Sequence, residues 1–141
     1  MGQEAQQTLT WAQIARAFCR LRDRAGLETG LQRRTGVHDK PRHYALYDAE
    51  TDIVVLDPRT VALGPRRVAG LLAHELGHAL DALEVHRGKR SYDEVELAAD
   101  DLAERAFGLC IYYGEDNVQA AYLPDETPPA GFRRPRPAGL R

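Results

Sequence analysis

Two histidines and a glutamate near the middle of the chain form the motif H-E-x-x-H, with His74, Glu75 and His78 in the fixed positions. On a helix, residues four apart lie on one face and about 6 Å apart along the axis, so both imidazoles can reach one metal ion. Glu75 lies on the same side of the helix but is displaced from that coordination sphere. We expect it to hold a water molecule at the metal and to deprotonate it as a general base.

The residues around the motif favour a metal site over a solvated polar helix face with two incidental histidines. They are largely apolar: Leu71, Leu72, Leu76, Ala79, Leu80 and Leu83. Two histidines and a glutamate buried beside such a stripe need hydrogen-bond partners or a metal to offset their desolvation. We therefore interpret the motif as part of a metal centre.

A third protein ligand is expected because catalytic zinc sites use three and keep one position open. The helix predicted after the motif offers four carboxylates: Glu94, Glu96, Asp100 and Asp101. Glu96 and Asp100 are four residues apart and so share a helix face. We predict that Glu96 is the third ligand and that Asp100 accepts a hydrogen bond from the far nitrogen of a ligating histidine. Glu94 is the alternative ligand, and an acidic solvated face is the alternative for the cluster as a whole.

The motif and its neighbours resemble the ImmA/IrrE family of small zinc metallopeptidases, which belong to the gluzincins. The resemblance covers roughly residues 44–107 and rests on three segments: D-I-V-V-L-D-P at 52–58, A-H-E-L-G-H at 73–78 and E-L-A-A-D at 96–100. Asp100 and Asp101 depart from it, because the family often has Asn and Arg-like residues there. A metzincin is excluded, since Asp81 and Glu84 occupy its glycine and histidine positions and Met1 is the only methionine.

This resemblance implies a zinc metalloendopeptidase that carries one Zn²⁺ per chain on His74, His78 and Glu96. Its substrate would be a protein or peptide, for example a transcriptional repressor cut at one site. A peptide would add as a strand to an exposed sheet edge. The rival hypotheses are a regulatory or partner-binding module with a structural metal and little catalysis, and an enzyme blocked by its own tail. The retained Glu75 disfavours the first rival, because a structural metal needs no base.

Hydrolysis also needs a donor to the oxyanion of the tetrahedral intermediate. The sequence offers several side chains for this role without ranking them: Tyr92, Tyr112, Tyr113, Tyr122 and Asn117. Ordinary aromatic packing with a solvated hydroxyl is the alternative for each tyrosine.

The pattern of apolar residues and caps predicts an α+β fold, a zincin-like minimal metallopeptidase domain. We expect an N-terminal helix, then a small antiparallel sheet of about three strands packed on the H-E-x-x-H helix and a glutamate helix. The predicted elements are a helix from the Thr10 cap to Gly26, a weak strand at Leu31–Thr35, strands at Arg42–Tyr47 and Asp52–Leu56, helices at Pro65–His86 and from the Ser91 cap to Phe107, a strand at Leu109–Tyr113 and a helical turn before Tyr122.

Composition bounds the domain organisation and the compartment. We predict a flexible segment at 1–9, one domain at 10–123 and a disordered tail rich in proline and arginine at 124–141. The net charge of −2 and the scattered basic residues indicate no direct binding to nucleic acid, and no apolar run reaches membrane-spanning length. Cys19 and Cys110 are expected to be free, and the protein is expected to be cytoplasmic. The oligomeric state does not follow from the sequence.

Overall fold

A computed structural model of the chain describes residues 7–37, 39–40 and 43–135. These residues form an α+β structure, which confirms the predicted class at this level. The elements in chain order are α1 (Trp11–Arg24), β1 (Gly30–Arg33), β2 (Ala45–Asp48), β3 (Ile53–Leu56), a short 3₁₀ helix (Pro58–Ala62), α2 (Pro65–Asp81), α3 (Tyr92–Phe107), β4 (Cys110–Tyr113) and β5 (Gln119–Tyr122).

The three-stranded sheet has the order β1-β3-β2, with β3 in the centre. β2 and β3 form the predicted antiparallel hairpin, in which Ala45 lies opposite Leu56. The prediction of an all-antiparallel sheet is wrong, however, because β1 pairs with β3 in parallel and places Leu31 opposite Val54. A hairpin turn fixes strand direction, whereas the long segment between β1 and β2 leaves the direction of β1 free.

A second, two-stranded sheet consists of the antiparallel pair β4 and β5. The prediction of a helical turn before Tyr122 is wrong, because that segment is β5. This strand crosses α2 closely at Gly70, where an added Cβ would lie 2.7 Å from the backbone nitrogen of Ala120. The small residues Ala120 and Ala121 therefore serve close packing of a strand on a helix, which the sequence pattern does not distinguish from a helical segment.

Capping residues set the ends of the helices much as predicted. Thr10 opens α1 and Ser91 opens α3, each with a complete capping box. α2 ends at Asp81 instead of His86, because the Asp81 carboxylate binds Arg90 from the loop that folds back after the helix. Val85 in that loop is 93% exposed, so its apolar character did not signal a buried helix face.

The core lies between α1, the face of β3, and the buried faces of α2 and α3. Its fully buried members include Ile14, Phe18, Val54, Leu56, Leu72, Leu76, Ala103 and Ile111. Cys19 and Cys110 are half-buried free thiols. Within the described parts of the chain, no helix is both long enough and apolar enough to cross a lipid bilayer.

The proline-rich segment after β5 follows a defined path as far as Pro135. It has no helix or extended strand, but Glu126 pairs with Arg66 at 2.6 Å. Further along, Arg133 forms an isolated antiparallel bridge with Tyr113. Residues 124–135 of the tail that was predicted to be disordered thus contact the rest of the described chain through Glu126 and Arg133, and the disorder itself stays a prediction. Residues 136–141 lie outside the described residues, as do most of the predicted flexible N-terminus, His38 and Arg42.

Candidate metal centre

Helix α2 carries the H-E-x-x-H motif in its most buried part. His74 is 1% exposed and Glu75 is 6% exposed, while His78 is partly buried. The helix can be this deeply buried because small and aliphatic residues surround the motif: Leu71, Leu72, Ala73, Leu76, Gly77 and Ala79. The polar side chains of the motif consequently face either one another or an open cleft.

Helix α3 approaches α2 most closely at Gly77. A Cβ added at this position would lie 2.7 Å from the carbonyl carbon of Ala99 and closer still to its carbonyl oxygen. The prediction that Gly77, facing the small Ala98 and Ala99, allows close approach of a neighbouring element is therefore confirmed. This contact brings the face of α3 that carries Glu96 and Asp100 against the two histidines.

The side-chain donors of three residues converge between the two helices. His78 Nε2 lies 2.8 Å from one carboxylate oxygen of Glu96, and His74 Nε2 lies 3.3 Å from the other. The two Nε2 atoms are 3.1 Å apart, with the rings nearly perpendicular. These three residues form a group that could hold a metal ion, and Glu75 is not among its members.

The separations match what a tetrahedral metal requires. Zinc–nitrogen and zinc–oxygen bonds of about 2.0–2.1 Å at tetrahedral angles place neighbouring donor atoms about 3.3 Å apart. The observed distances of 3.1, 3.3 and 2.8 Å fall close to this value. Two imidazoles and one carboxylate are also a donor set that suits zinc. The residues present therefore fit a single metal ion with one position open.

Asp100 orients the His74 ring from the side opposite to Glu96 and His78. His74 Nδ1 lies 2.7 Å from Asp100 Oδ1 and donates to this carboxylate, and Nε2 is the ring nitrogen that faces Glu96 and His78. The second oxygen of Asp100 accepts a hydrogen bond of 2.7 Å from the hydroxyl of Tyr113. Asp100 is 3% exposed, so it keeps this geometry without competition from bulk water.

The charges around the donors stabilise a positive ion between them. Burial disfavours a charged His74, but its hydrogen bonds to Asp100 and Glu96 outweigh burial and raise the pKa of the imidazole well above its ordinary value. Burial likewise disfavours a charged Glu96, yet hydrogen bonds from both histidines outweigh it and lower the pKa of the carboxyl. These shifts in pKa show that the carboxylates around His74 favour positive charge within this group of residues.

Glu75 has the environment of a proton acceptor. Its burial raises the pKa of the carboxyl, while the charges of His74 and His78 act in the opposite direction. A carboxylate with a raised pKa is a stronger base than one in water. Glu75 also borders the open cleft, so a substrate and a water molecule can reach it.

The remaining predicted residues have varied places. The carboxylate of Glu94, the alternative ligand, accepts a hydrogen bond from the Ser91 amide in the capping box of α3. Glu94 is not in the group formed by His74, His78 and Glu96. Tyr92 lies at the cleft and its hydroxyl is 3.3 Å from Glu96. Tyr112 packs against Tyr122, away from the cleft.

Tyr113 and Asn117 both line the cleft, but each is engaged elsewhere. The Tyr113 hydroxyl binds Asp100, and Asn117 accepts a hydrogen bond from Arg133. Of the side chains predicted to stabilise the oxyanion, Tyr92 is thus the one that is both exposed to the cleft and close to the candidate metal ligands. The sequence did not indicate the link from Tyr113 to Asp100, although the alternation of Ile111 and Tyr113 in β4 places both on one face.

The candidate metal ligands His74, His78 and Glu96 line a cleft of about 1210 Å³. One wall is β2 with the preceding Tyr44, and the opposite wall is the start of α3 with Tyr92. β2 is an edge strand, because it pairs with β3 on one side only among the described strands. Residues of this edge strand and the three metal-ligand candidates therefore border the same space. Arg133, Arg134 and Pro135 close one end of the cleft, which the sequence did not indicate.

A second cluster of possible ligands at the end of α2 is already neutralised. Asp81, Glu84 and His86 lie close enough to share an ion. However, both oxygens of Asp81 bind Arg90, at 3.1 and 2.9 Å, and His86 is 3.0 Å from the same carboxylate. Burial opposes the charge of Asp81, but the hydrogen bonds from Arg90 outweigh it and lower the pKa of the carboxyl. This cluster is an ion-pair network that ends the helix.

Comparison with known proteins gives no relative: no protein-family model matches the chain, and neither a curated protein nor a solved structure matches it significantly.

Proposed function

We propose that this chain is a zinc-dependent metallopeptidase that hydrolyses peptide bonds in a protein or peptide substrate. The observation that carries the proposal is the convergence of His74, His78 and Glu96 within hydrogen-bonding distance of one another, with Glu75 beside them at the floor of an open cleft. The likeness of its three motif segments to the ImmA/IrrE family supports the same activity and a zincin-like fold.

The chain's own residues would divide the work as follows. His74, His78 and Glu96 hold the metal, and Asp100 fixes the His74 ring so that Nε2 faces it. A bound zinc ion supplies Lewis acidity, which polarises the peptide carbonyl and lowers the pKa of a water molecule. Glu75 takes a proton from the attacking water and returns it to the nitrogen of the leaving amine. The Tyr92 hydroxyl is placed to donate to the developing oxyanion.

The unpaired edge of β2 is the proposed binding site for the substrate backbone. An extended peptide can add to this edge through main-chain hydrogen bonds, and it would then pass in front of Glu75 and the donors. Because main-chain contacts require little of the sequence, selectivity would depend on side chains that line the cleft, such as Leu46 and Tyr47 of β2. A regulatory protein with one exposed cleavage segment is the substrate class that the family likeness favours.

The test is proteolysis by the zinc-loaded chain against a library of unstructured peptides, with products read by mass spectrometry. The variant Glu75→Gln should bind zinc normally and cleave about 10²- to 10⁴-fold more slowly, because it loses its base. Glu28→Gln, an exposed glutamate outside the cleft, is the matched control and should cleave normally. Zinc-loaded wild type that cleaves no peptide, or Glu75→Gln with unchanged activity, would overturn the proposal.

A further inference from the structure

One side chain that supports the metal centre lies far along the chain from the motif. The Tyr113 hydroxyl donates to Asp100 Oδ2 at 2.7 Å, while Asp100 Oδ1 accepts from His74 Nδ1 at 2.7 Å. A continuous line of hydrogen bonds thus runs from β4 through α3 to the ring on α2. Each oxygen of the Asp100 carboxylate accepts one of these two hydrogen bonds, so the Tyr113 hydroxyl and His74 Nδ1 cannot substitute for each other.

The hydrogen bond between His74 and Asp100 is buried, and the one between Tyr113 and Asp100 is partly buried. His74 is 1% and Asp100 is 3% exposed, and the Tyr113 hydroxyl is the described donor to Oδ2. Burial and the neighbouring Asp100 charge raise the pKa of Tyr113, so its hydroxyl remains a donor at any physiological pH. Without this donor, an Asp100 carboxylate could rotate away from His74 and lose the alignment of both oxygens.

The segment at 131–134 holds the backbone of Tyr113 in place. The Tyr113 amide donates to the Arg133 carbonyl at 2.7 Å, and the Arg133 amide donates back at 2.9 Å. The Arg133 guanidinium binds the Gly114 carbonyl at 3.2 Å and the side chain of Asn117. Arg134 pairs with Glu104 of α3 at 2.6 Å. The segment therefore joins β4 to the helix that carries Asp100 and Glu96.

We propose that Tyr113, fixed by the main-chain bridge to Arg133, is a positioning residue that aligns His74 for metal binding through Asp100. This inference rests on the proposed metal centre and adds to it the C-terminal segment, which the sequence pattern indicated to be disordered. The segment thereby becomes a part of the site's framework.

The first test replaces Tyr113 by Phe, which removes only the hydroxyl. Tyr122→Phe is the matched control, because Tyr122 is a buried tyrosine of the same hairpin and has no described hydrogen bond to the site. In the metal-free full-length chain, NMR of the imidazole nitrogens should show His74 held with its proton on Nδ1 in the wild type and the control. In Tyr113→Phe we expect faster exchange of that proton.

Metal affinity provides the second measurement. Zinc binding by competition with a chelator should weaken roughly 5- to 10-fold in Tyr113→Phe, near the low end of the effect of losing a direct outer-shell partner. The visible spectrum of the Co²⁺-loaded chain should change in the same variant. Tyr122→Phe should match the wild type in both.

The bridge is tested by Arg133→Pro beside Arg133→Ala. Proline removes the amide that donates to Tyr113, whereas alanine keeps this amide and removes only the guanidinium. We expect the proline variant to reproduce the His74 exchange of Tyr113→Phe and the alanine variant to show less of it. A wild-type His74 signal and wild-type zinc affinity in Tyr113→Phe would overturn the inference. A wild type that binds no metal would instead refute the proposed function, while the His74 signal in the metal-free chain would still decide the role of Tyr113.

Discussion

The close contact of α2 and α3 at Gly77 allows a quantitative prediction for Gly77→Ala. The added Cβ would lie 2.7 Å from the Ala99 carbonyl carbon, whereas carbon atoms in contact are separated by about 3.5–4.0 Å. The obstacle is backbone, which cannot turn aside as a flexible side chain can. The two helices must therefore separate by about 1 Å at this point.

This separation should lower both stability and metal affinity. Alanine gains about 1 kcal/mol over glycine in helix propensity, but overpacking against backbone atoms should cost about 3 kcal/mol, the upper end of the usual range. We expect a net loss of about 2 kcal/mol in the free energy of unfolding, which is a decrease of about 5–10 °C in Tm for a domain of this size. Metal sites tolerate errors of about 0.2 Å in ligand position, so a 1 Å shift should weaken zinc binding by about 100-fold.

The assay is thermal unfolding in chelator together with zinc affinity by competition. Gly36→Ala, at a site with open space around it, should leave both unchanged. Gly70→Ala is the more demanding control, because its Cβ would lie 2.7 Å from the backbone nitrogen of Ala120 in β5, a strand that carries no metal donor. It should lose similar stability and much less metal affinity than Gly77→Ala. A Gly77→Ala variant with wild-type stability and affinity would refute the packing argument.

Three further predictions concern stability. Asp81→Asn leaves the Arg90 guanidinium without its charged partner and should lower the free energy of unfolding by about 1–3 kcal/mol in urea titrations; Asp101→Asn, from an exposed pair, should change it by less than about 0.5 kcal/mol. The Arg66 guanidinium lowers the pKa of Glu126 from 4.5 to about 2, so the stability difference between wild type and Glu126→Gln should be constant above pH 5 and disappear as the pH falls towards 2. Zinc at 1,000 times its Kd should stabilise the chain by about 4 kcal/mol, and chelator should remove this gain in a thermal scan. A change in stability of the opposite sign would contradict each of these predictions.

The donors of the candidate site were predictable from the sequence because each depends on a local pattern. The spacing of His74 and His78 on one helix, and of Glu96 and Asp100 on another, fixes which residues share a face. The capping boxes at Thr10 and Ser91 fix where those helices begin. Gly77 then indicates the point at which another element approaches, and the structure has Ala99 there.

The features that the sequence did not reveal depend on contacts between distant segments. The parallel direction of β1 is set by its pairing with β3, more than twenty residues away along the chain, which no local pattern determines. β5 has alanines where a typical strand has β-branched residues, since it must pass close to Gly70. The end of α2 at Asp81 depends on Arg90, and the path of the proline-rich segment depends on the bridge between Arg133 and Tyr113. Composition alone cannot show such pairings.

The central claim, that His74, His78 and Glu96 bind one metal ion, is tested most directly by metal content. The wild type, Glu96→Ala and Glu94→Ala should be purified in parallel, loaded with zinc and measured by mass spectrometry under native conditions. Glu94 is the matched control, because it lies two residues from Glu96 and serves the cap of α3 instead of the donor group. We predict one zinc per chain in the wild type and Glu94→Ala, and its loss in Glu96→Ala. Zinc that persists in Glu96→Ala, or a folded wild type that binds none, would contradict the assignment of the site.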